Sequence, residues 1–332
     1  MRAILASTLF QSGPLVMSGS LATALEERGC DLHNSLWTAK VLAEQPEMVK
    51  EVHLAYLRAG ADCGLTCSYQ ASIAGFLAQG YTQEKAEALL VSSVSVFRKA
   101  RQEWWQEEGK AAGRAFPLCL AGIGPYGAYL ADGSEYSGHY GVTNKLLREF
   151  HQRRAQVLWE AGADLLLFET QPSLNEALIE ADIAEKLGAP YGISFSCRDG
   201  LHTNEGDLIL ECAKTLNQWH PNLQMVGANC TRPEYMSDLI RIFKDETSLP
   251  VAVYPCRKPD EGEEQVCGCS LKAAGKPPVT KGETDTDFYT WARKWYQEGA
   301  SLVGGCCGTS VEQVKAIVRA RDEYKQQSGS NK

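Results

Sequence analysis

Short apolar runs alternate with longer amphipathic segments along the whole chain. Near-continuous apolar runs of this length are typical of parallel strands that are covered on both faces. The segments between them, such as 85–107, 145–160 and 175–187, carry the apolar spacing of helices with one buried face. The pattern predicts eight β/α units, with strands at Leu15–Met17, Cys63–Cys67, Pro117–Ile123, Leu165–Phe168, Tyr191–Phe195, Gln224–Ala228, Val251–Tyr254 and Ser301–Gly304.

The junctions between these segments support the same alternation. Gly60, Gly162 and Gly299 each stand shortly before a predicted strand, where a left-handed residue ends the preceding helix. Capping boxes, in which a hydroxyl and a carboxylate satisfy free N–H groups at a helix start, are predicted at Ser173–Glu176, Thr231–Glu234 and Thr309–Glu312.

Eight such units predict an α/β fold, a single (β/α)8 TIM-type barrel that spans residues 1–324 and ends in a polar, frayed tail at 325–332. Insertions are expected after strands 1, 3 and 7, the last two at 124–140 and 255–281. All three follow strand C-termini, where a barrel of this class keeps its active site. An open doubly wound sheet is the alternative, but no glycine-rich phosphate loop follows the first strand.

Composition and charge exclude several classes of function. Of the 332 residues, 44% are hydrophobic and 22% charged, an ordinary globular balance. The net charge of −8 and the lack of a basic cluster argue against nucleic acid as a partner. No apolar run approaches the ~20 residues that a membrane span needs, and residues 1–13 lack a secretory signal. A cytoplasmic protein without a membrane partner is therefore expected, with its oligomeric state left open.

Three of the 12 cysteines stand at predicted strand ends beside small residues. Cys230 ends the sixth strand, and the adjacent Cys306 and Cys307 end the eighth. In a barrel these strand ends share one rim, so the three thiols can converge. Zinc favours tetrahedral thiolate coordination, and three protein ligands with an open fourth position mark a catalytic site. The alternative is three buried cysteines that pack the rim.

The ligand type narrows the chemistry that such a zinc ion supports. Three protein thiolates and one substrate thiolate give the site a formal charge of about −2, which makes it a poor activator of water. Such a site instead holds a substrate sulfur as a thiolate at neutral pH, although a free thiol has a pKa near ~8.5. The expected reaction is alkyl transfer to sulfur.

At these motifs the chain resembles the homocysteine S-methyltransferase family, in particular its plant and bacterial branch that uses S-methylmethionine or S-adenosylmethionine. The likeness covers residues 14–320 and includes Asn229-Cys230, Gly304-Gly-Cys-Cys307 and the long stretch Gly124–Tyr136. The resemblance implies that Cys230, Cys306 and Cys307 bind zinc. It also implies homocysteine as the methyl acceptor, a sulfonium as the donor, and methionine as the product.

The resemblance further implies residues that bind the substrate. Glu169 matches the position that contacts the amino group of homocysteine, although a salt bridge to a barrel lysine or arginine is the alternative. Thr66 matches a position in the amino-acid pocket, unless it is a plain β-branched core residue. Ser18 and Gly19 stand where the family usually has Asp-Gly, so one negative charge beside the amino group is missing.

The implied mechanism is direct displacement, in which the zinc-bound thiolate attacks the methyl carbon of the sulfonium. Because the anionic nucleophile and the cationic donor cancel charge, exclusion of water favours the reaction. The insertion at Tyr126–Tyr140 carries several aromatic residues, which predict either a lid over the sulfonium through cation–π contact or an ordinary packed loop.

Other departures from the family affect the seventh strand and the first helix. The family's Tyr-Pro-Asn-Ser/Ala-Gly is here Tyr254-Pro255-Cys256-Arg257-Lys258, and Ala24 stands where Glu or Gln is common. Cys256 and Cys267-Gly-Cys269 lie in the same insertion and leave a second metal or redox site as an alternative to plain loop thiols. Two other functions therefore stay open: a diverged zinc methyltransferase for another thiol, and a barrel that binds a thiol without turnover.

Overall fold

Parallel strands form the centre of the structure, a computed structural model that describes residues 13–218, 220–256 and 285–329. The strands are β1 (Leu15–Val16), β2 (Cys63–Leu65), β3 (Leu118–Ile123), β4 (Leu165–Gln171), β5 (Tyr191–Phe195), β6 (Leu223–Asn229), β7 (Val251–Tyr254) and β8 (Leu302–Val303). They pair in the order β1-β8-β7-β6-β5-β4-β3-β2. A parallel bridge between Met17 and Cys63 joins β1 to β2, so the sheet closes on itself.

Helices connect successive strands on the outside of this sheet. Their bounds are α1 Leu21–Glu26, α2 Thr38–Glu44, α3 Pro46–Ala59, α4 Ile73–Ala78, α5 Gln83–Trp104, α6 Tyr126–Leu130, α7 Asn144–Glu160, α8 Leu174–Leu187, α9 Ile209–Gln218, α10 Met236–Glu246, α11 Asp285–Gln297 and α12 Val311–Gly329. This arrangement confirms the predicted (β/α)8 TIM-type barrel. Within the described ranges, no helix is long and apolar enough to cross a bilayer.

Several predicted bounds need adjustment. Strand β4 continues three residues past the predicted end at Phe168, through the buried polar residues Glu169, Thr170 and Gln171. Helix α12 runs through Gly329, beyond the predicted start of the tail at 325, and residues 330–332 lie outside the described part. The insertions after β1 and β3 carry α1, α2 and α6, whereas the insertion after β7 lies outside the described residues beyond Cys256.

The glycine helix ends are confirmed, and the first capping box is confirmed in its hydroxyl half. Gly60, Gly162 and Gly299 adopt φ values of 106°, 101° and 102°, in the left-handed region. Ser173 Oγ accepts a hydrogen bond from the Glu176 backbone N–H at 3.3 Å as predicted, but the Glu176 carboxyl group bonds elsewhere.

The capping boxes predicted at Thr231 and Thr309 are wrong, because both hydroxyls donate to backbone carbonyls instead. Thr231 Oγ1 bonds Asn229 O at 2.9 Å, and Thr309 Oγ1 bonds Cys306 O. Helix α12 begins after Ser310, whose hydroxyl accepts from the backbone N–H of residue 312. Local sequence therefore named the right residue types, but tertiary contacts gave the hydroxyls other partners.

Apolar side chains inside the barrel alternate along the strands, because successive strand residues point to opposite faces. The inward set is Leu15, Met17, Cys63, Leu118, Leu120, Leu165, Leu167, Met225, Ala252, Tyr254 and Leu302. The larger outer cluster fills the layer between strands and helices. Continuing the inward alternation on β4 and β7 leads to Glu169 and Cys256, at the C-terminal rim.

Two aspartates fix the opposite end of the barrel. Asp62 and Asp164 each end an Ala-Gly-Ala-Asp junction, and each accepts a backbone N–H from the preceding strand at 2.8 Å. A buried arginine pairs with each carboxylate, Arg321 with Asp62 and Arg101 with Asp164. The repeated junction thus ties strand starts to helices through paired buried charges.

We expect Asp164→Asn to lower the free energy of unfolding by about 3 kcal/mol, because Arg101 would remain buried without a counter-charge. The matched control is Asp182→Asn, which breaks a pair with Arg148 whose side chains are 38% and 40% exposed, against 7% and 7% for Arg101 and Asp164. An exposed pair contributes ~1 kcal/mol or less. Urea denaturation of both variants measures the difference, and equal losses would contradict this account.

Candidate active site

One cavity at the C-terminal ends of the strands brings all the predicted site residues together. Its wall includes Ser18, Gly19, Thr66, Glu169, Cys230, Cys306 and Cys307. Trp37, Tyr69 and Tyr254 also border it, although the sequence had not assigned them a role there. Residues from six different strand ends therefore meet at the rim where a barrel of this class has its active site.

Four thiols, rather than three, cluster at this rim. The Sγ atoms of Cys230, Cys256, Cys306 and Cys307 all lie within 4.8 Å of one another. Cys307 Sγ is 4.0 Å from both Cys230 Sγ and Cys306 Sγ, too far for a disulfide bond. Zinc–sulfur bonds of about 2.3 Å in a tetrahedron place the sulfurs about 3.8 Å apart. The cluster therefore has the size and donor chemistry that suit a zinc ion.

Backbone hydrogen bonds between the turns after β6, β7 and β8 hold these thiols in place. The bonds run from Cys230 N–H to Tyr254 O (3.3 Å), from Cys256 N–H to Thr231 O (3.2 Å) and from Cys306 N–H to Pro255 O (2.8 Å). The hydroxyls of Thr231 and Thr309 add bonds to carbonyls in the two outer turns. Thr231 and Thr309, which the sequence predicted to cap helices, thus stabilise the turns that carry the cysteines.

Two non-glycine residues at this rim adopt left-handed backbone conformations, Thr170 with φ 63° and Cys230 with φ 47°. For a β-branched residue such as Thr170 this conformation is strained and persists only when its surroundings enforce it. The Asn229 side chain does so, because its Oδ1 accepts from Thr170 N–H and its Nδ2 donates to Thr170 Oγ1, both at 2.8 Å. Asn229 therefore links the backbone beside Glu169 to that of Cys230.

The Glu169 carboxyl group borders the cavity and forms no ion pair within the described chain, although the charge of the buried Arg154 acts to lower its pKa. It is 4% exposed and forms no ion pair with any lysine or arginine in those residues, so the alternative of a salt bridge is not what the structure shows. Burial, and next the charge of the Cys230 thiolate, raise its pKa well above the usual value. A cation beside it would offset both effects.

Gly122 on β3 makes room for this carboxyl group. A Cβ atom at position 122 would lie 2.5 Å from Glu169 Oε1. Glycine at this position therefore permits the observed placement of the acid, which the sequence pattern did not reveal.

Thr66 presents a hydrogen-bond acceptor at the same wall. Its Oγ1 lies 2.6 Å from Ser68 Oγ, which itself donates to the Gly122 carbonyl at 2.7 Å. Because a serine hydroxyl has one proton, Thr66 is the donor to Ser68, and its own oxygen keeps its lone pairs. An acceptor beside a carboxyl group suits a substrate ammonium.

Ser18 and Gly19 form the part of the wall that comes from β1. Ser18 Oγ accepts from the Leu65 N–H at 3.4 Å, so this uncharged side chain joins β1 to β2. A Cβ atom at Gly19 would lie 3.0 Å from Tyr56 Oη and 3.2 Å from Thr309 O. Glycine at position 19 therefore allows the β1 turn to pack against the turn that carries Cys306.

The aromatic side chains of the insertion after β3 mostly pack on one another. Tyr126 contacts Tyr140 and Phe150 at ring-centroid distances of 5.6 and 5.0 Å, and none of these rings borders the cavity. Of this insertion, Tyr136 packs against the thiol cluster. The aromatic wall of the cavity comes instead from Trp37 and Tyr69, whose rings meet edge to face at 6.2 Å.

A second buried group of possible metal ligands lies between α7 and α8. His151, Glu176 and Glu180 bring three ligand atoms within 4.8 Å. His151 Nε2 lies 2.8 Å from Glu176 Oε1, which also accepts the Tyr126 backbone N–H at 2.6 Å. This cluster does not border the cavity, and its hydrogen bonds tie α8 to the insertion after β3.

The remaining sequence-based candidates fall outside the described residues. They are Arg257, Lys258, Cys267 and Cys269.

Comparison with known proteins adds independent evidence. The family model described as homocysteine S-methyltransferase matches residues 15–321. The chain is 42% identical over 308 residues to homocysteine S-methyltransferase YbgG of Bacillus subtilis, covering 91% of this chain and 93% of that protein. It is also 39% identical over 326 residues to selenocysteine methyltransferase of Astragalus bisulcatus, covering 94% of each.

A solved structure shows the same similarity in three dimensions. The metallated form of the homocysteine methyltransferase MmuM from Escherichia coli superposes with a TM-score of 0.78 at 36% identity, covering 92% of this chain and 95% of that one. The match extends over nearly the whole barrel, as the motifs predicted. The chain therefore belongs to the homocysteine S-methyltransferase family of enzymes.

Proposed function

We propose that this protein is a zinc-dependent methyltransferase that moves a methyl group from a sulfonium donor to homocysteine and forms methionine. One observation carries the proposal: a cluster of thiols shares a cavity with Glu169, a buried acid that forms no ion pair within the described chain. The metallated form of the similar E. coli enzyme supports a metal at such a site.

Cys230, Cys306 and Cys307 would hold the ion, because all three border the cavity through which a substrate enters. When bound, zinc would keep the substrate sulfur as a thiolate at neutral pH. Thiolate ligands favour zinc over magnesium or calcium, which prefer oxygen.

Glu169 and Thr66 would bind the other end of homocysteine. Both present acceptor oxygens to the cavity, and the substrate ammonium would donate hydrogen bonds to them. Held at the ammonium by Glu169 and Thr66, the substrate points its sulfur end toward the cysteines. Such positioning lowers the entropic cost of bringing the sulfur and the methyl carbon into line.

Trp37 and Tyr69 would form the donor side of the cavity. Aromatic faces attract cations, and a sulfonium carries a full positive charge. Attack by a thiolate on the methyl carbon neutralises both charges and releases a neutral thioether. Because charge disappears in this step, an apolar wall that excludes water favours it.

Selenocysteine is a second candidate acceptor, since the similar A. bisulcatus protein is named a selenocysteine methyltransferase. Its selenol would bind the same ion, and its ammonium would meet the same carboxyl group. Ser18, uncharged at the edge of the cavity, leaves room for an acceptor that differs from homocysteine.

We expect Cys307→Ser to weaken zinc binding and to lower methionine formation by at least about 100-fold, because a thiolate that holds the ion on the side of the cavity is lost. The matched control is Cys30→Ser, a half-buried cysteine outside the cluster. Elemental analysis of zinc and mass spectrometry of methionine report the two effects. Full activity in zinc-free Cys307→Ser would refute the role of the metal.

We expect Glu169→Gln to lower kcat/KM for homocysteine by roughly 10- to 100-fold, because a charge-assisted hydrogen bond to the ammonium is lost. With 4-sulfanylbutanoate, which lacks the amino group, the variant and the unmodified enzyme are expected to react equally slowly. Glu160→Gln, at the end of α7, serves as the control. An equal loss of kcat/KM with both acceptors would show that Glu169 does not bind the ammonium group.

We expect trideuteromethyl-labelled S-methylmethionine or S-adenosylmethionine to yield labelled methionine from homocysteine, and labelled betaine to yield none. A sulfonium releases a neutral thioether, a better leaving group than the amine that betaine releases. Mass spectrometry of methionine distinguishes the donors. Homocysteine binding without methionine from any donor would identify a thiol-binding barrel without turnover.

A further inference from the structure

The fourth thiol of the cluster has no place in a three-cysteine site. Cys256 is 2% exposed, and its Sγ lies within 4.8 Å of the sulfurs of Cys230, Cys306 and Cys307. From the sequence, Cys256 is a departure from the family and a candidate for a second metal or redox site with Cys267 and Cys269, not a ligand of the predicted zinc site. The structure brings it to the same point as the three predicted ligands.

Cys256 is held there by the same bonds that place the other cysteines. Its backbone N–H donates to Thr231 O, beside Cys230, and the neighbouring Pro255 O accepts from Cys306 N–H. It also follows the inward positions Ala252 and Tyr254 at the strand's two-residue spacing. Its thiol is therefore a built part of the cluster.

Zinc at a thiolate site takes four ligands in a tetrahedron. Three cysteines leave one position for a substrate, whereas four cysteines fill every position. Cys230, Cys306 and Cys307 border the cavity, but Cys256 does not. Cys256 therefore approaches the cluster from the side away from the cavity, and a substrate thiol arriving through the cavity meets the other three.

We propose that Cys256 is a fourth protein ligand, which closes the zinc site in the absence of substrate and is displaced by the acceptor thiol. The proposal rests on the proposed function, because it concerns the ligand that homocysteine replaces. In the exchange, the bond from Cys256 Sγ to the ion breaks and a bond from the substrate sulfur forms. The proton lost by the substrate thiol goes to Cys256, so the site keeps the same formal charge.

This exchange replaces one thiolate by another, so neither state has a large advantage from the metal bond alone. Contacts with the ammonium end of the substrate then decide which thiolate is bound to the ion, and Glu169 is placed to make these contacts. A thiol without an ammonium would displace Cys256 less readily. The closed state also keeps water off the ion when no acceptor is present.

Zinc X-ray absorption of the unmodified, zinc-loaded enzyme tests the proposal without any variant. Without substrate we expect four sulfur neighbours at about 2.3 Å. With selenohomocysteine, whose selenium is distinguishable from sulfur, we expect three sulfurs and one selenium. Three sulfurs and one oxygen without substrate would overturn the proposal. Four sulfurs together with selenium would show that Cys256 is not displaced.

The variant Cys256→Ala provides a second measurement, with Cys30→Ala as the matched control. We expect the variant to retain one zinc per chain, with three sulfurs and one oxygen in the absence of substrate. With selenohomocysteine its spectrum is expected to match that of the unmodified enzyme. An unchanged count of four sulfurs in Cys256→Ala would exclude Cys256 as a ligand.

The same data separate this proposal from the proposed function. Four sulfurs without selenium at saturating selenohomocysteine would refute acceptor binding at zinc, and displacement with it, while still identifying Cys256 as a ligand. If zinc has three sulfurs and one oxygen without substrate, and three sulfurs and one selenium with selenohomocysteine, acceptor binding at zinc is supported. The same result would exclude Cys256 as a ligand.

Discussion

Backbone hydrogen bonds between the turns after β6, β7 and β8 hold four sulfur atoms within the span of one metal ion. When ionised, thiolates at this distance repel one another in a buried site, and this repulsion favours separation of the turns. The closed barrel opposes that separation, because each turn is hydrogen-bonded to a neighbouring turn at the rim. The aspartates at the opposite end fix where the strands begin, and thereby where they end.

The barrel could be predicted from the sequence, since near-continuous apolar runs alternate with segments of helical periodicity and a glycine ends three helices before strands. Positions where polar residues are buried were harder to predict. The apolar run that predicts β4 ends at Phe168, whereas the strand itself continues through the polar residues Glu169, Thr170 and Gln171. Their partners lie far away in sequence, as the bonds from Asn229 to Thr170 show.

The three predicted thiols meet at the rim, but the fourth was missed for an instructive reason. The family motifs contain Cys230, Cys306 and Cys307, whereas Cys256 lies outside them and was grouped with Cys267 and Cys269 as a possible second site. The alternation Ala252, Tyr254, Cys256 already indicated an inward position at the same rim. What sequence could not give is that the β7 turn bonds both neighbouring turns. Thr231 and Thr309 show the same limit of prediction from sequence. A threonine hydroxyl can cap a helix or donate to a carbonyl within a turn, and the local sequence does not distinguish the two.

The charges of the site are incomplete in the described chain by itself. Glu169 and the thiols are negative groups when ionised, yet no described lysine or arginine forms an ion pair with Glu169 at the cavity. Each missing cation has a source in the proposed reaction: the metal for the thiols, the acceptor ammonium for Glu169, and the sulfonium beside Trp37 and Tyr69. Because buried negative charge is costly without a counter-charge, each of these negative groups would be stabilised when its own cation binds beside it. In the proposed reaction, the site would therefore approach charge balance as the metal and the acceptor bind.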